Sequence, residues 1–278
     1  PANVAAFGRH HGDRGDSAFP QVKGVYLVEC GTHAVTDAGF WPCHVSERYG
    51  GFRLLRAVGP GMLLMWDRGF HNFDRVAQAH ATGAEILARV PSQLILKPVQ
   101  TFADGTFTAY LTPSACRRRK GGLRLLVRVL QYTIQDPALP GYGEKHRLIT
   151  TLLDPKCYPA HDLACAYHER WEIELVIDEI DTHQRLAGRP LRSLKPVGVI
   201  QELYALLIAH YVIRALMHQA ALHQQLDPDR LSFVHALEVV RVQAVERAPG
   251  DELVVRLAAD RPPPGGARWP DSWRWVTR

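Results

Sequence analysis

The sequence predicts an α/β fold, and three stretches carry this prediction. Residues 62–66 form a compact apolar run that is followed, after a glycine, by a helical pattern over residues 73–80. Residues 94–153 consist of short alternating segments separated by turn signals, as in β-strands. Residues 166–181 keep a helical period over four turns. Strands and helices therefore alternate along the chain, which indicates a sheet with helices packed on it.

Composition sets the class of protein. The 278 residues are 46% hydrophobic, enough for one large core or two modest ones. A formal charge of +5 and a pI near 9.0 suit a partner that carries phosphates. The five cysteines are widely spaced without a C-x-x-C pair, so neither a disulfide framework nor a structural zinc site is predicted. Without a signal peptide or an uncharged apolar run of about 18 residues, we expect a soluble cytoplasmic protein and no membrane partner.

The N-terminal region reads as a loop followed by a hairpin and a helix. Residues 1–20 are rich in Gly, His and Asp, which favours a loop. Residues 22–29 and 32–41 are two β-rich runs that Gly31 separates. Residues 46–58 read as a short helix that Gly59, Pro60 and Gly61 end.

Asp67 follows an apolar run that is typical of a strand buried on both faces and central in its sheet. The segment continues Arg68-Gly69-Phe70 and then becomes helical, and residues 82–90 supply the next strand. Open α/β sheets bind their ligands at the carboxyl ends of such strands, which makes Asp67 a candidate ligand. The alternative is that Asp67 merely begins the turn.

The β-rich segment carries the densest positive charge of the chain. Its predicted strands are separated most clearly at Asp104-Gly105 and Gly121-Gly122. A cationic run directly precedes Gly121-Gly122 and is predicted to form a hairpin tip. It consists of Arg117, Arg118, Arg119 and Lys120. Such a run is either a solvated face or a contact for DNA phosphates, and both interpretations stay open.

The helix predicted over residues 166–181 has two polar stripes. Tyr167, Arg170 and Glu174 lead the first, which also contains Asp178 and Asp181. His168, Glu172 and Glu179 form a narrower second stripe, which we expect to face solvent. Apolar residues flank both, with Trp171 and Leu175 on one side. The first stripe is the functional candidate, although Arg170 and Glu174 could also be an ordinary i, i+4 pair.

Two motifs together resemble the IS4-type DDE transposases. Tyr167, Arg170 and Glu174 have the spacing of the signature helix of that family, and Asp67-Arg68-Gly69-Phe70 is similar to its D-R-G-F/Y segment, in the same order. The resemblance implies a ribonuclease-H-like mixed sheet flanked by helices and interrupted by a β-rich insertion. It makes Asp67 and Glu174 the second and third catalytic carboxylates and metal ligands, with Tyr167 and Arg170 on the DNA backbone. It also implies two Mg²⁺ ions, transposon-end DNA as partner and a homodimer on that DNA.

The sequence departs from the family pattern in two respects. In the family, the first carboxylate lies in a D-G-T segment on a strand that precedes the residues matching 1–8, and this sequence does not include that strand. The first Met of the sequence is Met62. We therefore interpret the chain as an N-terminally truncated fragment. Asp181 stands where the family has Lys. We therefore expect an impaired metal site and an inactive polypeptide, unless Asp13 or Asp16 replaces the first ligand.

Three functional interpretations follow: a truncated transposase domain, a non-catalytic DNA-binding remnant that modulates a related transposase, or an unrelated α/β protein.

The sequence divides into four predicted parts. Residues 1–92 and 154–225 are the two halves of the core, residues 93–153 are the insertion, and residues 226–278 are a helix with a flexible tail from Gly250 onward. Two further helices are predicted at residues 197–222 and 231–247. The transposase interpretation requires Asp67 and Glu174 to share a pocket.

Overall fold

The computed structural model describes residues 2–12, 15–113, 123–135, 137, 142–185, 189–246 and 250–259. The helices of this part are α1 (Ala2–Phe7), α2 (Glu47–Leu54), α3 (Phe73–Ala81), α4 (Ala160–His168), α5 (Glu172–Asp178), α6 (Pro196–Gln224), α7 (Phe233–Glu246) and α8 (Gly250–Ala259). The strands are β1 (His11–Gly12), β2 (Gly15–Asp16), β3 (Val22–Val28), β4 (Val35–Pro42), β5 (Leu63–Trp66), β6 (Glu85–Arg89), β7 (Pro98–Thr101), β8 (Phe107–Leu111), β9 (Leu125–Thr133) and β10 (Lys145–Thr150). The fold is mixed α/β, as predicted.

The chain forms two compact units. The described residues of Pro1–Gly50 and Trp171–Ala267 form the first, which we call the helical unit. Those of Gly51–Arg170 form the second, which we call the sheet unit. The division falls inside the stretch predicted as one helix, which the structure splits into α4, a 3₁₀ turn at Glu169–Trp171, α5 and a π-helical turn at Glu179–Gln184.

The sheet unit contains a six-stranded mixed sheet with the order β5-β6-β10-β9-β8-β7. β5 and β6 are parallel, and the remaining neighbours are antiparallel. Because β10 pairs with β6, the strands predicted within residues 94–153 continue the sheet that β5 and β6 begin. The predicted strands and turns of this region are confirmed where the structure describes them.

The prediction that residues 62–66 form the central strand is wrong, because β5 is the edge strand of the described sheet. Leu63 is exposed, and only Trp66 of β5 is buried. The doubly buried position belongs to β6, whose Ile86 and Ala88 pack toward α3 while Leu87 packs toward α4. Alternate residues of one strand point to opposite faces, so β6 needs apolar residues at every position. A short apolar run does not by itself distinguish these two places in a sheet.

The helical unit is built on α6 and the β3–β4 hairpin. The hairpin is antiparallel from Val22↔Pro42 onward, as predicted. The buried core residues that join α6 to α7 and α8 are Ile213, Met217, Ala220, Phe233, Ala236, Leu237, Val254 and Leu257. By length and composition alone α6 could also cross a membrane. One side of α6 is buried against α7 and α8, whereas Ile208 and Tyr211 on the same helix are 65% and 55% exposed.

Two predictions about the ends of the chain are wrong. Residues 1–20 contain α1 and the small β1–β2 hairpin in place of a continuous loop. The predicted loose tail begins with α8, because Val254 and Leu257 are three residues apart and both are buried against the α6 core. Residues 260–278 lie outside the described part of the chain.

Candidate active site

Asp67 stands at the carboxyl end of β5, where it precedes the 3₁₀ turn Arg68–Phe70. Its side chain forms no capping hydrogen bond with that turn. Among the described residues, nothing donates a hydrogen bond to its buried Oδ1 atom. A buried carboxylate oxygen without a donor is costly, and a cation is one of the few groups that would satisfy it. Asp67 precedes the turn and has an oxygen that could bind a cation, and its role as a metal ligand stays a prediction.

Tyr167 of α4 lies beside Asp67. Tyr167 is only 5% exposed, and its hydroxyl donates a 3.4 Å hydrogen bond to the carbonyl oxygen of Trp66, the residue before Asp67. The Arg170 guanidinium lies 5.9 Å from the centre of the Tyr167 ring. Burial raises the pKa of Tyr167, and the charge of Asp67 raises it too, whereas Arg170 and Arg89 lower it. These four side chains form what we call the Asp67 cluster.

A cationic cavity opens in the same unit. It has a volume of about 680 Å³ and is lined by Arg68, Arg89, Lys145 and Arg147 together with polar residues of β9 and β10. Glu144 is its acidic member and pairs with Arg89 at 3.4 Å. The excess of positive charge suits phosphate groups. The sequence analysis missed Arg89. Arg89 is the last residue of β6, which is parallel to β5, so Arg89 and Asp67 both lie at the carboxyl ends of neighbouring strands.

Glu174 lies on α5 in the helical unit, and its side chain is exposed. Asp181, which follows on the π-helical turn, is also exposed and pairs with Arg185 at 3.2 Å, so its negative charge has a partner. Asp67 belongs to the sheet unit, and the expectation that Asp67 and Glu174 share a pocket stays a prediction. Arg117, Arg118, Arg119, Lys120 and Asp13 lie outside the described residues. Asp16, the other candidate for a first ligand, contacts His11 on an exposed hairpin.

Comparison with known proteins decides the family. The family described as Transposase DDE domain matches residues 4–212, three quarters of the chain. This chain belongs to the DDE transposase family.

Within curated proteins, this chain is similar to the transposase InsG for insertion sequence element IS4 of Escherichia coli (strain K12). The two are 28% identical over 246 residues, which cover 86% of this chain and 54% of InsG. The chain thus spans about half the length of this relative. The resemblance to IS4-type DDE transposases is confirmed, and the interpretation as an unrelated α/β protein is wrong.

The second polar stripe of the chain, predicted over residues 166–181, does not face solvent, contrary to expectation. Glu172 Oε2 lies 2.6 Å from Nε2 of His33, a buried residue of the β3–β4 turn. Glu179 is 8% exposed and accepts hydrogen bonds from His210 Nε2 at 2.9 Å and from Arg214 Nε at 3.0 Å. His168, in the sheet unit, is 6% exposed. The stripe is buried because its partners come from distant parts of the chain, which a helical projection does not represent.

Burial and pairing oppose each other at Glu179. Burial by itself would raise the pKa of its carboxyl group. The hydrogen bonds from His210 and His33 and the charge of Arg214 outweigh burial, so that the pKa falls from 4.5 to about 2. Glu179 is therefore ionised over the whole physiological range and forms a buried ion pair with Arg214.

One group of side chains in the helical unit has the composition of a cation site. His33, Glu172 and Asp229 each offer a ligand atom, and these atoms lie within 4.8 Å of one another. Nε2 of His33 is 3.7 Å from Oδ1 of Asp229. On the other side of the imidazole ring, Arg214 contacts Nδ1, so a guanidinium already supplies positive charge to this group.

Proposed function

We propose that this chain is the catalytic region of an IS4-type transposase, which cleaves DNA at transposon ends and transfers the strand with the help of divalent cations. The observation that carries the proposal is the Asp67 cluster. A buried carboxylate oxygen that receives no hydrogen bond from the residues that the structure describes lies at a strand end, beside a tyrosine hydroxyl and two guanidinium groups. A cleavage site for a phosphodiester needs such a carboxylate for the metal and such cations for the phosphates.

Each residue of the cluster has a role in this proposal. Asp67 and Glu174 hold the cations, Mg²⁺ in the first instance, and a bound pair would stabilise the attacking and leaving oxygens of an in-line displacement. Arg170 and Arg89 neutralise the DNA backbone near Asp67. Tyr167 is buried, so we propose that it holds the end of β5 in place. Its hydroxyl does this by donating a hydrogen bond to the carbonyl oxygen of Trp66, next to Asp67.

DNA also has a broader surface available in the sheet unit. The cavity that Arg68, Arg89, Lys145 and Arg147 line would accommodate backbone phosphates adjacent to Asp67. The run Arg117–Lys120 extends this charge in the sequence, and we propose that it contacts the same DNA. Binding of this kind weakens steeply with salt, because each neutralised phosphate releases counterions. We further propose a homodimer on paired transposon ends in the cytoplasm, associated with the nucleoid.

We propose that these 278 residues, tested by themselves, cleave DNA poorly. Two carboxylates of the family's three are assigned, Asp67 and Glu174, and a two-metal site that lacks a ligand loses much of its electrostatic stabilisation. The experiment is a cleavage assay on branched or end-nicked DNA with Mg²⁺. We expect little product from the unmodified chain. Robust cleavage that disappears in Asp67→Ala would contradict the inactivity and support the role of Asp67.

An alternative function is a non-catalytic DNA-binding remnant that modulates a related transposase. It is favoured by the two assigned carboxylates and by Asp181 at the position of the family Lys. Filter binding over a range of salt concentrations separates the alternatives when it is combined with the cleavage assay. Salt-dependent binding together with no cleavage, even when a peptide supplying a D-G-T strand is added, would favour the remnant.

A further inference from the structure

The helix that carries Glu174 is held on its far side by a connected set of buried charges. Its members are His33, Glu172, Glu179, His210 and Arg214, which we call the buried ionic cluster. On a helix, Glu172 and Glu179 lie roughly 140–160° around the axis from Glu174. This agrees with the structure, in which Glu179 is buried while Glu174 is exposed.

The cluster fixes both ends of α5. At the first turn, Glu172 Oε2 is 2.6 Å from Nε2 of His33. At the end of the helix, Glu179 receives two hydrogen bonds from Arg214, a two-point contact that fixes direction as well as distance. Arg214 also contacts Nδ1 of His33, so the two ends are joined through one guanidinium. His210 adds a third hydrogen bond to Glu179 at 2.9 Å.

The elements that supply these partners are themselves well fixed. His210 and Arg214 are one turn apart on α6, and both are buried. His33 has a left-handed backbone, with φ of 59°, in the β3–β4 turn. The Glu29 carboxylate holds that turn by accepting hydrogen bonds from the backbone of Gly31 and Thr32. The cluster therefore connects α5 to rigid parts of the helical unit.

Apolar packing holds only one side of α5 and would not by itself fix how the helix is rotated. Val176 and Ile180 are buried against Ala38 and Leu207, whereas Leu175 is 52% exposed. The α-helical segment has only seven residues, a length at which helices depend on tertiary contacts. Apolar contacts are non-directional, so they tolerate a rotation of the helix that hydrogen bonds to a guanidinium do not.

We propose that the buried ionic cluster positions Glu174 by fixing the rotation of α5 about its axis and its position along that axis. This inference rests on the proposed function, because it assumes that Glu174 is a metal ligand. In this proposal five residues act on Glu174 through the helix and are positioning residues: His33, Glu172, Glu179, His210 and Arg214.

Mn²⁺ binding to the whole chain, followed by electron paramagnetic resonance, tests the inference without requiring cleavage. Glu174→Gln first establishes whether Glu174 is a ligand. Glu179→Gln should then weaken Mn²⁺ binding about tenfold, the scale expected when the support of a ligand is lost. Arg214→Lys keeps the charge but loses the two-point contact, and it should fall between Glu179→Gln and the unmodified chain.

The matched control is Glu202→Gln on α6. Glu202 also accepts several hydrogen bonds, from the backbone of Arg192 and Ser193, but it is not part of the cluster. This variant should lower the thermal unfolding midpoint and leave Mn²⁺ binding unchanged. Hydrogen exchange should show faster exchange at residues 172–184 in Glu179→Gln and not in Glu202→Gln.

The outcomes are distinguishable. Unchanged Mn²⁺ binding in Glu174→Gln would contradict the proposed function itself. A clear effect of Glu174→Gln together with none of Glu179→Gln would overturn the positioning role. Loss of Mn²⁺ binding in Asp229→Asn would show an ion bound at His33 and Glu172, and would overturn it as well.

Discussion

Replacing Glu179 by Gln tests how strongly the buried ionic cluster stabilises the helical unit. The Glu179 side chain is 10% exposed and accepts hydrogen bonds from both Arg214 and His210. Gln has nearly the same shape but offers a single acceptor oxygen, and its amide group would direct a donor at another donor. The Arg214 guanidinium, whose side chain is 5% exposed, would then lack its counter-ion.

The expected magnitude follows from that loss. Breaking a buried ion pair by removing one partner costs about 3–5 kcal/mol, because the remaining charge stays buried without compensation. Arg214→Met should lower the free energy of unfolding by a comparable amount, since the buried Glu179 carboxylate would lose its guanidinium partner and keep only the imidazole groups of His210 and His33. The double variant removes both charges together, so its cost should be smaller than the sum by about 2 kcal/mol.

Urea unfolding near neutral pH, followed by circular dichroism, measures all three variants. Glu202→Gln provides the matched carboxylate-to-amide control at a less buried position, and we expect it to cost about 1 kcal/mol. If the two single changes add to within about 0.5 kcal/mol, Glu179 and Arg214 are not coupled and the reasoning fails. It also fails if Glu179→Gln costs no more than the control.

Three further predictions concern the sheet unit. Burial, followed by nearby positive charges, lowers the pKa of His168 from 6.5 to about 4, so the unfolded chain binds its proton first as pH falls. Stability should therefore drop by on the order of 3 kcal/mol between these pH values, and His168→Phe should remove this dependence in urea titrations at several pH values. Arg128 is fully buried and donates to Asp104 and to the carbonyl oxygen of Tyr158, which lysine would not reproduce. Arg128→Lys should cost about 3 kcal/mol in urea unfolding, and a cost below about 1 kcal/mol would contradict that role. Arg89→Ala should weaken DNA binding for all sequences alike and reduce the salt slope in filter binding by about 1, whereas an unchanged slope would mean that Arg89 contacts no phosphate.

Local patterns predicted most of the elements. The β3–β4 hairpin, α3, β8, β9, β10, α6 and α7 all lie where periodicity and turn residues indicated. α3 is an example, because Asn72 accepts a hydrogen bond from the backbone nitrogen of Asp74 and so caps the helix locally. Such signals depend on neighbours within four residues, and the sequence displays them directly.

The errors concern positions whose environment comes from distant residues. The place of β5 at the edge of the sheet depends on the pairing of β10 with β6, which are separated by more than fifty residues. The apolar residues of α8 are buried only because α6 lies beside them. Glu172 and Glu179 resembled a solvated stripe because His33 and Arg214 are far away in the sequence.

The sequence by itself determined the α/β class and the family of this protein, because Asp67-Arg68-Gly69-Phe70 and the Tyr167, Arg170, Glu174 spacing are local motifs. The tertiary structure decided which charges are buried. It brought Arg89 to Asp67 across parallel strands, and it joined Glu179 to Arg214 across two helices. A residue's own neighbours determine its backbone, whereas burial and the electric field around it depend on every element that folds against it.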